Sequence, residues 1–442
     1  MTEHSARRRI VLVSIDPWRQ NGDFRPFDYG LRRIAAAIAG SKCVADEWDV
    51  HVLSRRDEDV DALVRDIRSL GPDVVGFSTY VWSIRPFLEV AAKLSAEEPR
   101  PVMLFGGPSA RPVSFAREPL RSLSKHVDGL VLGDGEEIIV DILGAGALDR
   151  ASLAAIEGVA VLGPLGWRGA KRDVSAALDE LPSPYQLGLV PREATAHLEI
   201  FRGCPLSCSF CQWGSYDGAR TASADYLKRE LEAIARVDAS GVFLVDAGLN
   251  LNSRAFRALS EAEREVGLLA SSSLHCELYP KYVRPEHLSL LASTKAHVGI
   301  GVQSTDAEVL RASERPCSDI GRMTDVIREV ATVADVLLEV IVGLPGDSPD
   351  GIKTTVEWAR SFGVSVNAYH CLLLPDALLD RAVLDSAFDY DPSTFEVRAA
   401  PGWSARALEE TVTWLDTELA AASGMRLPGV WHFQRRQALK QK

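Results

Sequence analysis

The 442-residue sequence predicts an α/β protein in two parts, a doubly wound parallel sheet followed by a partial (β/α)6 barrel. Three observations carry that expectation. Short runs rich in Val, Ile and Leu alternate with segments of helical periodicity along most of the chain, the pattern of βα units around buried parallel strands. The length exceeds what one hydrophobic core usually serves, so two domains are the starting point. Between about 144 and 191 the periodicity fades and Gly and Pro accumulate, as in Gly163-Pro-Leu-Gly-Trp-Arg-Gly169 and Leu181-Pro-Ser-Pro-Tyr185, which splits the alternation into two blocks.

In the first block, Ile-Val-Leu-Val-Ser-Ile at 10–15 reads as a parallel strand covered on both faces, because it is apolar at successive rather than alternate positions. A helix follows over 28–39, then a strand over 48–53, a helix over 60–70, a strand over 74–79, a helix over 85–95, and strands over 102–105 and 129–132. Ligands of such sheets sit beyond the carboxyl ends of the strands. Those ends carry Ser78-Thr79-Tyr80, Gly106-Gly107-Pro108-Ser109 and Gly133-Asp134-Gly135-Glu136. Glycine there admits close approach of a ligand to the backbone, and serves equally well in ordinary strand-to-helix turns. The sheet domain is assigned to 1–145, and 146–193 to a linker with a short β-ribbon near 159–162.

The second block, 194–380, shows strands at 196–201, 242–246, 273–278, 298–303, 336–342 and 365–373, with helices between them. Chemistry in such barrels gathers at the carboxyl ends of the strands. The first strand ends in Phe201-Arg-Gly-Cys204-Pro-Leu-Ser-Cys208-Ser-Phe-Cys211-Gln-Trp-Gly214, where Gly203 and Pro205 prevent a continuous helix or strand. Three thiols spaced in this way can converge on one inorganic group. Zinc normally takes four protein ligands and no fourth Cys or His stands at a finger-like spacing, whereas a cubane held by three thiolates keeps one iron open. The later strand ends are polar: Asp246-Ala-Gly-Leu-Asn250, Glu277, Gln303-Ser304, Gly343-Leu-Pro-Gly346 and His370. The remainder, 381–442, is expected to be a helical tail, with one amphipathic helix over 404–422 and a short basic end at 431–436.

Composition narrows the setting. A net charge of −12 argues against nucleic acid, which needs a basic face, and mildly favours cationic ligands. No apolar run reaches the roughly 18 residues of a membrane span, and Met1-Thr-Glu-His-Ser-Ala-Arg-Arg-Arg leads directly into a strand-like run, so a cytoplasmic protein is expected. Seven cysteines, three of them clustered, do not form a disulfide framework.

The cysteine loop, with Phe210 immediately before its third Cys, resembles the signature of the radical S-adenosylmethionine (SAM) enzymes. The resemblance implies that Cys204, Cys208 and Cys211 hold a [4Fe-4S] cluster, that SAM chelates the open iron, and that reductive cleavage yields a 5'-deoxyadenosyl radical. It also implies cofactor contacts at Phe210, Asp246, Gln303, Ser304, Arg315, Gly343, Leu344 and Gly346. Gly299-Ile-Gly-Val-Gln303-Ser304 with Leu310 and Arg315 follows the family pattern well. Asp246-Ala-Gly248 and Leu374-Pro-Asp-Ala377 depart from it. The glycine loops of the first block resemble the Rossmann-like, cobalamin-binding-type domain of one branch of this superfamily. The Asp-x-His-x-x-Gly element that supplies a cobalt ligand in cobalamin mutases is absent, and 14–18 offers no His. Cobalamin is therefore admitted by the fold but not favoured as a cofactor.

Within that branch, the compact chain, the acidic charge and the loop Cys211-Gln-Trp-Gly-Ser-Tyr216-Asp217 resemble the aminoglycoside C3'-deoxygenating diol dehydratases of apramycin-type and tobramycin-type pathways. The expected reaction is dehydration of a paromamine-like sugar in antibiotic biosynthesis, with Tyr216, Asp217, Glu277 and His370 as candidate acid–base groups. Expected partners are a small cationic aminoglycoside substrate, a flavodoxin-type reductase as electron donor and an NADPH dehydrogenase acting on the product. The alternative is a cobalamin-dependent C-methyltransferase of natural-product biosynthesis.

Overall fold

The computed structural model describes residues 7–16, 24–173, 175–215, 220–316, 319–382, 385–422 and 424–435. The chain divides into two compact units, one formed by Met1–Ala194 with Arg236–Asp238 and Pro392–Thr394, the other by Thr195–Ala235, Ala239–Asp391 and Phe395–Lys442. No helix among the described residues is long and apolar enough to cross a membrane.

The first unit is built on strands β1 (Arg8–Ile15), β2 (Trp48–Arg55), β3 (Val74–Ser78), β4 (Val102–Gly106), β5 (Gly129–Val131), β6 (Val159–Gly163) and β7 (Gly166–Arg168), in the order β2-β1-β3-β4-β5-β6-β7. The first five pair in parallel. Helices α1 (Tyr29–Gly40), α2 (Val60–Leu70), α3 (Ile84–Leu94) and α4 (Gly135–Gly144) connect them. Helix α2 shows how locally the elements are specified: the Asp59 side chain accepts from Ala62 N at 2.9 Å, and Gly71 ends the helix at φ +56°. Ile10, Leu12, Leu31, Ile38, Trp48, Val74, Leu104, Ile138 and Ile142 form one buried cluster. The ribbon expected inside a linker is part of this sheet, since β6 pairs antiparallel with β5. Strand order reverses around β1, so a crevice opens between the carboxyl ends of β1 and β3.

In the second unit, β8 (Thr195–Leu198), β9 (Gly241–Leu244), β10 (Ser273–Leu278), β11 (Lys295–Gln303), β12 (Asp335–Val342) and β13 (Ser365–His370) form six consecutive parallel strands. Helices α5 (Ala224–Arg236), α6 (Ser253–Val266), α7 (Pro285–Ala292), α8 (Ile320–Val330) and α9 (Pro349–Arg360) lie between them. Along β12, Val336, Leu338, Val340 and Val342 are buried, while the alternate Leu337, Glu339 and Ile341 are only partly so. Leu337 and Glu339 share a parity with Glu277 and Asn367 through the strand register, and that parity faces the lumen.

The tail over 381–442 carries the expected helix, but its end is β-structure. Helix α10 (Ala405–Ala421), capped by Ser404, is followed by β14 (Met425–Leu427) and β15 (Val430–Phe433), and β15 pairs antiparallel with β13. The cause is the free edge of the barrel sheet. Unpaired backbone groups on β13 need a partner, and Val430, Trp431 and Phe433 are apolar enough to be buried there.

One row of the barrel makes a prediction. Register places His197, Phe243, His275, His297 and Asp335 side by side on adjacent strands, with the His275 and His297 rings stacked at 4.6 Å. Burial pushes His197 down to about 4 despite its hydrogen bond with the Thr195 carbonyl. Burial, then the neighbouring His297, pushes His275 down to about 4. Both groups titrate at about 6.5 in an unfolded chain. Their depressed folded values mean that stability is fully present above pH 6.5 and is lost as pH falls toward 4, on the order of 3 kcal/mol from the buried His197 alone, with a further loss from His275. Urea denaturation across this window is expected to show the loss, and His275→Phe is expected to reduce it.

Candidate functional site

The cysteine loop leaves β8 through a two-residue antiparallel clasp, Phe201–Arg202 against Arg220–Thr221. Gly203 takes φ +103°, a conformation that turns the chain out of the clasp. Within the loop Cys211 N donates to the Cys208 carbonyl at 3.0 Å, Ser209 N donates to the Ser313 carbonyl at 2.9 Å, and Gln212 Nε2 donates to the Pro375 carbonyl at 2.9 Å. Cys208 is buried; Cys204, Cys211 and Phe210 are half-buried. Burial raises the Cys204 thiol and pushes Cys211 up to about 11, against the favourable charge of Arg315 in both cases. Thiols in this state are reduced and free, and a bound metal would deprotonate them.

The donor set fits a polynuclear group: three cysteines on one loop, at 204, 208 and 211, suit a cubane, which takes each thiolate on a separate iron. Around the thiols, buried acceptors lack partners. Asp246 Oδ1 accepts from Ile200 N at 2.9 Å and Phe201 N at 2.7 Å, so half of this carboxylate anchors the start of the loop, while Oδ2 is buried without a partner. Burial raises Asp246 well above the usual carboxylate range, against the Phe201 N–H. Gln303, held at φ +70°, likewise buries an unpartnered Oε1. Such acceptors suit a ligand rich in N–H or O–H groups.

The lumen holds a pair of carboxyls that the strand pattern places together. Glu277 pairs in register with Gly299, and Glu339 with Gly301, so only the two glycines of β11 separate them. A Cβ at Gly299 would lie 2.2 Å from Glu277 Oε1, and one at Gly301 2.5 Å from Gln303 Nε2 and 3.3 Å from an Arg315 nitrogen. The Gly-Ile-Gly spacing thus makes room for three polar side chains. Burial, then Glu339, raises Glu277 well above the usual range; burial raises Glu339, opposed by a Tyr369 hydroxyl that donates to it at 2.9 Å. Asn367 Nδ2 donates to that hydroxyl at 2.7 Å, and His432 Nδ1 donates to Asn367 Oδ1 at 2.7 Å.

The other expected site residues have differing fates. Tyr216 and Asp217 lie outside the described residues. His370 Nε2 donates to the Val397 carbonyl at 2.8 Å and its ring stacks on Trp431, contacts that anchor the side chain at the end of β13. Ser304 is fully buried in a turn, its hydroxyl donating to Asp347 at 3.4 Å and accepting from Asp306 N. Gly343 at φ +90° is crowded by Val397, and Leu344 is buried with its carbonyl accepting from Trp403 Nε1 at 2.8 Å. Gly346 at φ +89° faces open space, as a platform for a flat ligand would. Glu339, Tyr369 and Asn367 were missed, although an acidic residue inside the apolar run 336–342 is itself a signal.

At the sheet crevice of the first unit, Tyr80 and Trp82 stack face to face at 4.6 Å just beyond β3, and Trp82 Nε1 donates to the Ile15 carbonyl at the end of β1 at 3.0 Å. Tyr80 is exposed, and the Ser14 hydroxyl nearby in sequence is buried without a partner. An aromatic platform at the carboxyl ends of β1 and β3 suits a large flat ligand.

Residues 198–359 match the radical SAM superfamily model, and residues 24–143 match the B12 binding domain model. The chain is 29% identical over 407 residues to the cobalamin-dependent radical SAM methyltransferase TokK of Streptomyces tokunonensis, covering 85% of this chain and 57% of that one. It is 30% identical over 336 residues to the 2-(S-pantetheinyl)-carbapenam-3-carboxylate methyltransferase of Streptantibioticus cattleyicolor, covering 69% and 48%. The chain thus spans about half the length of these curated relatives. Its fold is that of the methyltransferase TsrM from Kitasatospora setae, at TM-score 0.68 and 16% identity over 92% of this chain and 88% of that one. It is also that of OxsB with aqua-cobalamin and SAM bound, at TM-score 0.69 and 11% identity over 94% and 67%. The expectation that cobalamin is not favoured is overturned by the match of residues 24–143 to the B12 binding domain model.

Proposed function

We propose that this chain, a B12-binding domain followed by a radical SAM domain, is a cobalamin-dependent methyltransferase acting on a carbon of a small natural-product substrate. The observation that carries the proposal is the union, in one chain, of the three-thiol loop at the end of β8 and the aromatic-lined crevice between β1 and β3. The curated relatives matched over most of the chain are methyltransferases, which favours methyl transfer over the dehydration expected from the loop resemblance.

When bound, the cluster and SAM supply a carbon-centred radical and cobalamin supplies a methyl carrier. The chain's own residues supply position. Cys204, Cys208 and Cys211 would hold three irons. Asp246 Oδ2 and Gln303 Oε1 are placed to accept from an ammonium or amide, and Glu277 with Glu339 offers the paired acceptors that match a ribose diol. Tyr80 and Trp82 would present a flat face to the corrin and keep water from that side.

The test is anaerobic reconstitution with iron, sulfide, hydroxocobalamin and SAM, with a flavodoxin system or dithionite as electron donor, followed by mass analysis. Substrates are a carbapenam thioether and paromamine. Stoichiometric cobalamin and a product heavier by one methyl group are expected; a product lighter by one water, formed without cobalamin, overturns the proposal.

A further inference from the structure

Arg315 is aimed by a bracket of contacts on the rim of the barrel. Its guanidinium carbon lies 4.6 Å from the centroid of the Tyr279 ring, one terminal nitrogen donates to the Gly301 carbonyl, and the other donates to Cys208 Sγ at 3.8 Å. Its backbone N donates to the Leu310 carbonyl at 2.9 Å. Tyr279 is itself fixed at three points. Its backbone N donates to Asn250 Oδ1 at 2.9 Å, its carbonyl accepts from Asn250 Nδ2 at 2.8 Å, and its hydroxyl donates to the Pro316 carbonyl. The ring also stacks on Tyr282 at 5.5 Å. A planar cation lying on an aromatic face keeps its charge while losing rotational freedom, so the remaining N–H is directed at one sulfur.

We propose that Arg315, held over the Tyr279 ring, donates an N–H···S hydrogen bond to the Cys208 thiolate and thereby raises the one-electron reduction potential of the cluster, with Tyr279 as the positioning residue. The inference rests on the assignment of Cys204, Cys208 and Cys211 as cluster ligands. Reduction adds one negative charge to the cluster, and a nearby cation with a hydrogen bond to a ligating sulfur stabilises the reduced form more than the oxidised one. Ease of reduction bears directly on SAM cleavage, which begins with that electron.

The experiment is a dithionite titration with mediators of the full-length, anaerobically reconstituted protein without SAM, reading the reduced cluster by electron paramagnetic resonance after iron and sulfide have been counted. Arg315→Gln is expected to lower the reduction equilibrium constant about ten-fold, about 59 mV for one electron. Tyr279→Leu moves it about three-fold in the same direction, and Tyr279→Phe, which keeps the ring, stays with the parent. If Arg315→Gln loses iron, Arg315→Lys serves in its place, with a smaller shift of the same sign because charge remains but the planar fork does not. An unshifted Arg315 variant at full iron content overturns the proposal, as does an equal shift in Tyr279→Phe and Tyr279→Leu. A parent protein that binds no iron is separately visible in the metal count and overturns the cluster assignment beneath it.

Discussion

Cys208→Ala is expected to abolish SAM cleavage to background, beyond the 10–100-fold typical of losing an outer-shell partner. Cys208 is the buried member of the three thiols and the one that Arg315 touches, so its loss removes a metal ligand and leaves one guanidinium nitrogen without its sulfur acceptor. Two thiolates cannot hold three corners of a cubane. The fold itself is expected to survive, because the loop is tied by Ser209 N to the Ser313 carbonyl and by Gln212 to the Pro375 carbonyl, neither through sulfur. Iron content, visible absorbance and 5'-deoxyadenosine formation should vanish together, with thermal unfolding little changed. Full iron content in this variant would sink the cluster assignment.

Glu277→Gln is expected to move affinity and stability in opposite directions. Glu277 and Glu339 are raised by burial and, for Glu277, by the second carboxylate, so above their folded values the pair carries a self-repulsion absent in the unfolded chain. Raised folded values mean this penalty is present at neutral to alkaline pH and disappears below the ordinary carboxylate value near 4.3. The amide removes it, so the variant should be more stable than the parent at pH 8 and equal to it at pH 4. Loss of a charged acceptor should at the same time weaken SAM binding about 10–100-fold, the worth of one hydrogen bond to a charged group. Calorimetric SAM titration and paired melting curves check both signs; unchanged affinity would exclude Glu277 from the ligand.

Much of the fold is legible in the sequence because buried parallel strands are continuous apolar runs, and 10–15, 102–105 and 336–342 stand out as such. The thiol loop is legible for a different reason: its chemistry lies within eight residues. Contacts made across strands are harder to see. Nothing local says that Gly299 stands opposite Glu277, or that Asp246 spends one oxygen on the backbone of residues 200 and 201, because both follow from register. Nor does anything local say that His370 lies against Trp431, which the antiparallel β15 brings to it. That strand was hidden in a short segment whose basic residues mask its apolar face.

The same late strand ties the timing of synthesis to the chemistry of the lumen. Glu339 receives its hydroxyl donor from Tyr369, which is held by Asn367, which is held in turn by His432 on β15. Chains emerge from the ribosome amino end first, and contacts of long sequence separation close last. The first five barrel strands can pair while translation proceeds, yet the hydrogen bonds that settle Glu339 wait for His432, made 93 residues after it. A chain cut before β15 would therefore present its thiols with an unfinished set of hydrogen bonds behind them, because the support of Glu339 is contributed from outside the six parallel strands.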